Sequence, residues 1–468
     1  MPPARADRLL LLALLALNLL LKLLWLGVNE LAHDEPFTVH WSQRPLTELW
    51  AMFRTENNPP LYFLLIKAWS AGVPFEAAWL RIPSALFSAL AVWPLFLLAR
   101  RYGERGAAIL AAALFTCSNY HYGFAHEVRA YSLFTLLTIT GMWLLVRAAD
   151  RPDDGIRSML PLSMLNVVLV YTHFFGWLVV GLQGLLVLIL PELRSLRRGF
   201  LLGAAVTMGA FLPYALIFLE RITQSVGKGT WLSPPMPEEL YNMLWRWSNA
   251  PVLTVAFLAL IVAAGWKDRL RSSGLRFAAL WCFVPLLGMF AVSFTVPMFL
   301  DRYLVYAAPG FALLVALSAE SLFQRRVAQR SVMAGLGLGM ASTFTPWKDT
   351  GAHPSRVVQV EQEWCSDGCS VEVLPQWYWL THLAAKDIRN LKRDLRSHLG
   401  QADPATAPVL GARHPSPPLD TSLAAVVIDA GAHLSDPGRP WYQHLRAIYA
   451  KVDSVEADRK VRVYRFHH

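Results

Sequence analysis

The chain runs to 468 residues, 55% of them hydrophobic and only 16% charged, with a mean hydropathy of +0.36. Soluble globular chains carry nearer a quarter charged residues, so an ordinary soluble enzyme, a disordered tail and a disulfide-stapled secreted module are all excluded. Charge is unevenly spread: 29 of the 76 charged residues fall in positions 346–468, which is the soluble norm, so a long membrane part, 1–345, precedes a soluble part, 346–468. A net charge of +10 leaves a nucleic-acid partner open until the basic residues are placed.

A spanning helix needs about 20 mainly apolar residues. The first such run is Leu9–Gly27; it is long, lacks a small-x-small cleavage site and is followed by many more, so it reads as a span rather than a signal peptide. Further apolar runs lie near 79–99, 106–119, 131–148, 159–174, 176–190, 199–219, 251–266, 277–296, 303–320 and 331–345. With the N-terminus in the cytoplasm, the inner loops carry Arg100, Arg101 and Arg105, then Arg147, Arg151 and Arg157, then Arg194, Arg197 and Arg198, then Lys267, Arg269, Arg271 and Arg276, then Arg325, Arg326 and Arg330. Each inner loop is basic, which is the positive-inside pattern. The positive charge is therefore an orientation signal, and the nucleic-acid reading falls. The pattern holds only if the short apolar segment Pro59–Val73 does not cross; it is expected as an interfacial or re-entrant helix in the first outer loop, 28–78. Phe37–Phe53 before it is amphipathic, with Trp41 and Trp50 suited to the headgroup layer. The run 331–345 is short and Gly-rich; without it the tail would lie in the cytoplasm. The expected fold is an α-helical polytopic membrane protein with about eleven transmembrane helices, interfacial helices in the first outer loop and a small C-terminal α/β domain outside the cytoplasm.

In the tail, Arg356–Val360 and Ser370–Leu374 read as strands, Trp379–Leu399 as a charged helix and Gln401–Pro418 as a linker or long loop. Ala424–Asp429 is a buried-type strand, Pro440–Ala450 a helix, and Val452–Val455 with Val461–Phe466 a terminal hairpin. No glycine-rich phosphate loop and no metal-ligand spacing occurs there. Cys117 and Cys282 sit in apolar spans and read as packing residues. Cys365 and Cys369 flank Ser-Asp-Gly; a zinc pair lacks a second ligand pair, a small disulfide loop suits an oxidising outer compartment, and a reduced pair is the remaining reading.

The residues that could do chemistry gather in the outer segments. Asp34 and Glu35 follow the first span in NELAHDEPF. They are either a solvated loop pair or a general base, or metal ligands, at the membrane surface. NNPPLYFLLIKAW places Asn58 and Tyr62 at the rigid start of a helix, and Trp79–Arg81–Ile82–Pro83–Ser84 opens the next span. The loop NYHYGFAHEVRAYS puts His126, Glu127, Arg129 and Tyr131 within six positions. YTHFFGW adds His173, and PMFLDRYLVY adds Asp301, Arg302 and Tyr303. Snorkelling would account for Arg129 alone, but polar groups clustered at span ends are costly and usually functional.

Taken in order, Asp34–Glu35, PPLY, R-x-P-S, E-x-R-x-Y, Y-T-H-F and D-R-Y-L resemble the GT-C glycosyltransferases of the protein O-mannosyltransferase and aminoarabinose-transferase type, over roughly residues 8–320. The resemblance implies a multi-span enzyme that takes a sugar from a polyprenyl-phosphate carrier on the outer face of the plasma (inner) membrane. It implies that Asp34, beside Glu35, is the catalytic carboxylate. Where relatives often carry His or Lys before the PPL, this chain has Asn58, a departure at a donor-phosphate position.

Phosphate becomes more negative as the sugar leaves, and arginine suits it because its planar fork stays charged. Arg129 and Arg302, with Arg81 behind them, are the expected phosphate ligands; Lys67 ranks lower. Asp34 would take the proton of an attacking hydroxyl or amine, giving inversion, while Glu35 orients Asp34 or the acceptor. A divalent ion held by Asp34 and Glu127 is an alternative to a metal-free site. His126, Glu127, Tyr131, His173, Tyr62 and Asn58 are the expected sugar or phosphate contacts, the two histidines being equally open to a structural role. The absence of a nucleotide-binding motif fits an outer-face site. A transporter or flippase of lipid-linked glycans is the competing class, but it would place ionisable residues deep within spans and show repeats; Lys22 is the main deep one and no repeat is evident. A lipid-linked polymer ligase would share the donor, and a structural scaffold would leave the outer-face charges unexplained.

Overall fold

The computed structural model describes residues 5–56, 58–150, 157–228, 232–268, 271–323, 325–366, 368–393, 422–431 and 438–468. In chain order the elements are α1 (Arg5–Leu23), α2 (Glu35–Ser42), α3 (Leu46–Thr55), α4 (Leu61–Ser70), α5 (Ala77–Leu90), α6 (Val92–Tyr102), α7 (Arg105–Thr116), α8 (Asn119–Ala125), α9 (Tyr131–Ala149), α10 (Leu160–Thr172) and α11 (Gly176–Ile189). They continue with α12 (Arg197–Lys228), α13 (Glu238–Ser248), α14 (Pro251–Asp268), α15 (Ser273–Val292), α16 (Ala308–Leu322), α17 (Arg326–Ser342), α18 (Pro354–Trp364), β1 (Cys369–Leu374), α19 (Trp379–Lys386), β2 (Ala424–Asp429), α20 (Pro440–Ile448), β3 (Lys451–Asp458) and β4 (Val461–His467). Two compact units result. The first comprises Met1–Leu24, Asn58–Tyr62 and Arg81–Pro346, and the second Trp25–Asn57, Phe63–Leu80 and Trp347–His468.

Every apolar run forms helix, and the chain is a multi-pass membrane protein. Not every run is long enough to cross alone, however. Among the described residues four helical stretches have the length and composition to span: Ala77–Tyr102, Tyr131–Ala149, Pro191–Thr223 and Ser273–Val292. A fifth arises if α13 and α14, bent by 98°, count as one. The expectation of about eleven crossings is thus coarser in the structure. The reason lies in the outer ends of the runs. The run 106–119 yields a 12-residue α7, because Ser118 turns the chain and caps α8 by accepting from His121 N at 3.3 Å. The run 159–174 stops at Thr172, where His173 takes extended angles (φ −151°, ψ 138°). The run 303–320 opens with a 3-10 helix, Asp301–Leu304, before α16 begins. At 1.5 Å per residue these helices fall short of a hydrocarbon core of about 30 Å. The residues removed from the helices are the ones that carry polar side chains.

Within the first unit the helices are joined by polar ties that replace the hydrophobic drive lost among apolar surroundings. Asn18 Nδ2 donates to the Ala89 carbonyl at 3.0 Å, docking α1 on α5. Asn166 and Gln183 exchange side-chain hydrogen bonds of 2.8 and 3.2 Å between α10 and α11. At the other end of α1, Asp7 accepts from Arg105 at 2.7 Å and from Arg100 at 3.3 Å.

The second unit is built on a four-stranded mixed sheet of order β1-β2-β4-β3, with β1 and β2 parallel and the other pairs antiparallel. Strand alternation sorts its side chains to two faces. Val426, Ile428 and Val463 pack with Val357 of α18, while Ala425, Val427 and Phe466 pack with Leu445 and Tyr449 of the α20 side. Covered on both faces, β2 is apolar throughout, as a central strand must be. A disulfide joins Cys365, at the end of α18, to Cys369, the first residue of β1. Three sequence expectations need correction or qualification. Arg356–Val360 is not a strand but part of α18: Pro354 suits a first helical position, and Val357, Glu361 and Trp364 recur on one buried helical face, so the 3.6 period overrides the β-branched residues. The helix expected over Trp379–Leu399 ends at Lys386, because Asp387 turns extended and accepts from Arg389 N at 2.8 Å, capping a 3-10 helix over Ile388–Lys392. Gln401–Pro418 lies outside the described residues.

The segment 28–78 is also largely helical. Phe37–Phe53 is split into α2 and α3 around Pro45. α4 has 10 residues, about 15 Å of rise, too short to cross on its own.

Candidate active site

Several polar site residues of the first unit lie at or just beyond helix ends. Arg129 stands just before α9. Its Nη2 donates to Asn58 Oδ1 at 3.2 Å, and its guanidinium lies 5.6 Å from the centre of the Tyr131 ring. Its backbone is held as well: Arg129 N donates to the Glu127 carbonyl at 2.8 Å, and the Arg129 carbonyl accepts from Ser84 Oγ at 3.3 Å. Ser84 in turn meets the hydroxyl of Tyr62, a fully buried side chain, at 2.6 Å. Asn58 is fixed from the other side, its carbonyl accepting from Tyr214 OH at 3.4 Å. The PPLY and R-x-P-S segments therefore frame Arg129 rather than presenting independent groups.

His173 extends this cluster. Its ring stacks on Phe134 at 4.8 Å with 16° between planes, and lies 6.1 Å from Tyr131 and 6.4 Å from Tyr303. Its Nδ1 accepts from Phe175 N at 3.1 Å, which leaves Nε2 as the protonated nitrogen of the neutral ring. Arg129 and Arg302 are both near enough to act electrostatically on the His173 ring. Arg302 also sits 5.8 Å from the Tyr303 ring centre. Asp301 beside it accepts from Arg302 N at 2.7 Å and pairs with Arg246. So Asn58, Tyr62, Arg129, Tyr131, His173 and Arg302 come together as two guanidinium groups among ring faces. Aromatic faces suit guanidinium because it is weakly hydrated and planar.

His126 takes the structural role. Its Nε2 donates to the Lys22 carbonyl at 3.0 Å, and its ring packs 4.1 Å from Tyr122. Burial drives its pKa down to about 3; the bond to the Lys22 carbonyl opposes this, while the charges of Lys22 and Arg81 add to it. His126 is therefore neutral through the physiological range. Arg81, in α5, is 1% exposed, and Glu127 is half-buried in the turn before Arg129.

In the second unit Asp34 is the N-cap residue of α2, yet its side chain makes no cap hydrogen bond. Its backbone carbonyl accepts the first intrahelical bond, from Thr38 N at 3.2 Å. Glu35 is the first helical residue and is 5% exposed. Both carboxylates lie at the N-terminal end of α2. His33 before them takes φ +54°, a left-handed conformation uncommon outside glycine. Lys67, ranked low for phosphate, spends its ammonium on the other end of α2, donating to the Arg44 carbonyl at 2.7 Å. Among the described residues no group of three or more His, Cys, Asp and Glu could hold a metal ion.

Some participants carried weak sequence signals. Tyr214 lies mid-helix in α12 beside Pro213 with nothing to mark it. Ser84 was visible only as part of the R-x-P-S run, and Phe134 reads as one more apolar residue of a span.

Residues 57–217 match the family model described as dolichyl-phosphate-mannose-protein mannosyltransferase. That stretch contains Asn58, Tyr62, Arg81, His126, Glu127, Arg129, Tyr131 and His173. Over that stretch, about a third of the chain, the sequence is similar to the mannosyltransferases that this model describes. Its fold is similar to that of ArnT from Cupriavidus metallidurans bound to undecaprenyl phosphate, with a TM-score of 0.60 at 12% identity over 99% of this chain and 98% of that one. The apo form of that ArnT gives a TM-score of 0.60 at 13% identity, covering 98% of both chains. The oligosaccharyltransferase AglB from Archaeoglobus fulgidus, in complex with an inhibitory peptide and a dolichol-phosphate, matches at a TM-score of 0.51 and 11% identity over 82% of this chain and 64% of that one. At such identities the likeness is one of fold. Sequence comparison with curated proteins finds no match.

Proposed function

We propose that the chain is a GT-C glycosyltransferase that moves a sugar from a polyprenyl-phosphate carrier to an acceptor hydroxyl or amine on the outer face of the plasma membrane, with inversion. The observation that carries the reading is the Arg129 cluster, a guanidinium aimed by Asn58 and flanked by Tyr131 inside the family-matched stretch. The likeness to an ArnT bound to undecaprenyl phosphate supports the same donor class. Arg129 and Arg302 bind the donor phosphate, and Arg81 adds positive potential behind them. The bond from the anomeric carbon to the phosphate oxygen breaks, and its electron pair leaves with the polyprenyl phosphate. Fixed positive charge lowers the energy of that departure. The acceptor's lone pair forms the new bond from the opposite side, and Asp34 takes its proton. Glu35 orients Asp34 or the acceptor. His173, Tyr131 and Tyr62 line the donor site, and Asn58 orients Arg129 where relatives carry a cation.

The basic loops between apolar runs support a cytoplasmic N-terminus and a tail outside the cytoplasm. Deleting the gene in its host and comparing lipid-linked sugars by mass spectrometry tests the function. One polyprenyl-phosphate monosaccharide should accumulate, and wild-type protein but not Asp34→Asn should clear it. Clearance by Asp34→Asn at the wild-type rate removes the base assignment; an unchanged lipid pool removes the donor class.

A further inference from the structure

The second unit does more than join a loop to a tail: it grips the Asp34 segment on both sides. Four residues before Asp34, Glu30 receives both groups of Ser355, the backbone N at 2.9 Å and Oγ at 2.6 Å. Ser355 is the second residue of α18, so the Glu30 carboxylate sits at that helix's N-terminus, where the dipole and the open N–H groups hold an anion. Asn29 beside it accepts from Thr350 N at 3.2 Å. Six residues after Asp34, His40 is buried, and its Nδ1 donates to the Leu391 carbonyl at 3.0 Å. Arg44 reaches the next carbonyl, that of Lys392, and the Lys392 ammonium lies 4.1 Å from the centre of the Phe75 ring. The ties come from three stretches of the tail: Thr350 ahead of α18, the start of α18 and the 3-10 helix over Ile388–Lys392.

Between the two grips lies a backbone that would not hold itself. His33 takes φ +54° with no glycine to ease it, and a non-glycine residue keeps that conformation only when its surroundings over-determine it. α2 has 8 residues, well below the length at which a helix is stable alone. The start of α2 is therefore held by contacts from outside the segment.

We infer that the C-terminal domain acts as a clamp that sets the position of Asp34, with Glu30 and His40 as positioning residues. This rests on the reading of Asp34 as the base. On this account the tail acts on the proton-transfer step rather than on donor capture. Removing either grip loosens residues 31–39 and misplaces the carboxylate, and a misplacement of about 1 Å costs on the order of 100-fold in rate.

The test uses full-length protein carrying Glu30→Ala, His40→Ala or both. Three quantities are read: hydrogen exchange of the peptide covering 31–39, equilibrium binding of undecaprenyl phosphate, and clearance in the deletion host of the accumulated lipid-linked sugar. Exchange at 31–39 should rise, clearance should fall by about 10- to 100-fold, and undecaprenyl phosphate affinity should stay within about twofold, since a tenfold loss would need about 1.4 kcal/mol of lost contact. Glu30→Gln, which keeps an acceptor oxygen for Ser355 N, should recover part of the loss. Ser355→Ala, lacking only one hydroxyl, replaces Glu30→Ala if that variant fails to accumulate. Wild-type exchange at 31–39 in the double variant, or wild-type clearance, overturns the clamp. Normal clearance by Asp34→Asn instead overturns the base, while the exchange measurement still judges the clamp by itself.

Discussion

Replacing Arg129 by lysine separates charge from geometry at the donor phosphate. Lysine keeps the positive charge but loses the planar fork, and with it the Nη2 donation to Asn58 Oδ1 at 3.2 Å that aims the group. The rest of the fork is what meets phosphate oxygens as a pair. Losing one charge-assisted bond of that pair is worth about 1.5–3 kcal/mol, equivalent to a loss of roughly 10- to 150-fold in affinity. Asn58→Ala removes the aim but leaves the fork. A single neutral acceptor is worth about 1 kcal/mol, so its cost is about fivefold. Because Asn58 acts through Arg129, the combined Arg129→Lys, Asn58→Ala variant should lose no more than Arg129→Lys alone. The assay is equilibrium binding of undecaprenyl phosphate to detergent-solubilised protein, with thermal unfolding confirming that each variant is folded. Wild-type affinity for Arg129→Lys would refute bidentate phosphate binding. Losses that simply add in the double variant would refute the aiming role of Asn58.

Three further outcomes follow from the same contacts. His126 titrates near 6.5 when unfolded and near about 3 when folded, so the unfolded chain binds the extra proton between these values and stability falls as pH drops through that window; His126→Gln, which can still donate to the Lys22 carbonyl, should flatten that fall in thermal unfolding measured from pH 7 to 4. A Cβ at Gly176 would meet the Leu169 carbonyl oxygen at 2.8 Å and Val170 Cα at 2.9 Å, both backbone, so Gly176→Ala should destabilise the α10–α11 turn by about 2 kcal/mol; an unchanged unfolding temperature would contradict the close approach. Burial alone would raise the Glu361 pKa, but hydrogen bonds from His382 and Lys386, each 2.6 Å, outweigh it and hold the carboxyl below its usual range; the resulting stability is present above the unfolded pKa and lost as pH falls through the folded one, so Glu361→Gln should destabilise the tail at pH 7 by about 3 kcal/mol and remove that acid dependence.

Much of the helical part was legible because long apolar runs have few alternatives, and the family-like order of polar groups lay at their ends. The span count was less legible. Hydropathy sees that 106–119 and 159–174 are apolar, but not that Ser118 and His173 halt those helices by local hydrogen bonding and extended angles. In the tail, β2, β3 and β4 followed from apolar strand patterns with turn signals. α18 did not, because Val357, Val358 and Val360 favour strand locally; its helix depends on one buried face packed against the sheet. Arg129, His173 and Arg302 stood out as charged or imidazole groups in otherwise apolar surroundings. Glu30, His40 and Arg44 did not, because their partners are backbone groups and a hydroxyl more than 300 positions away, and no spacing rule reaches that far.

The two halves of the proposed chemistry ask different things of the protein, and the chain meets them in different ways. Binding a lipid phosphate asks for a cation that stays charged with little hydration. Arg129 and Arg302 beside Tyr131 and Tyr303 meet that need within helix ends whose positions the packed spans already set. Taking a proton asks for a carboxylate placed to a fraction of an ångström on a segment that still admits an acceptor. A residue inside a span would be rigid but closed, and one on an unsupported loop would be open but loose. Asp34 at the start of an 8-residue helix, gripped at Glu30 and His40 by a folded domain, reconciles the two. A separate domain encoded after the last span is a direct route to that support, because it can rigidify the outer loop without adding polar groups to the membrane-embedded helices, where each would need its own partner.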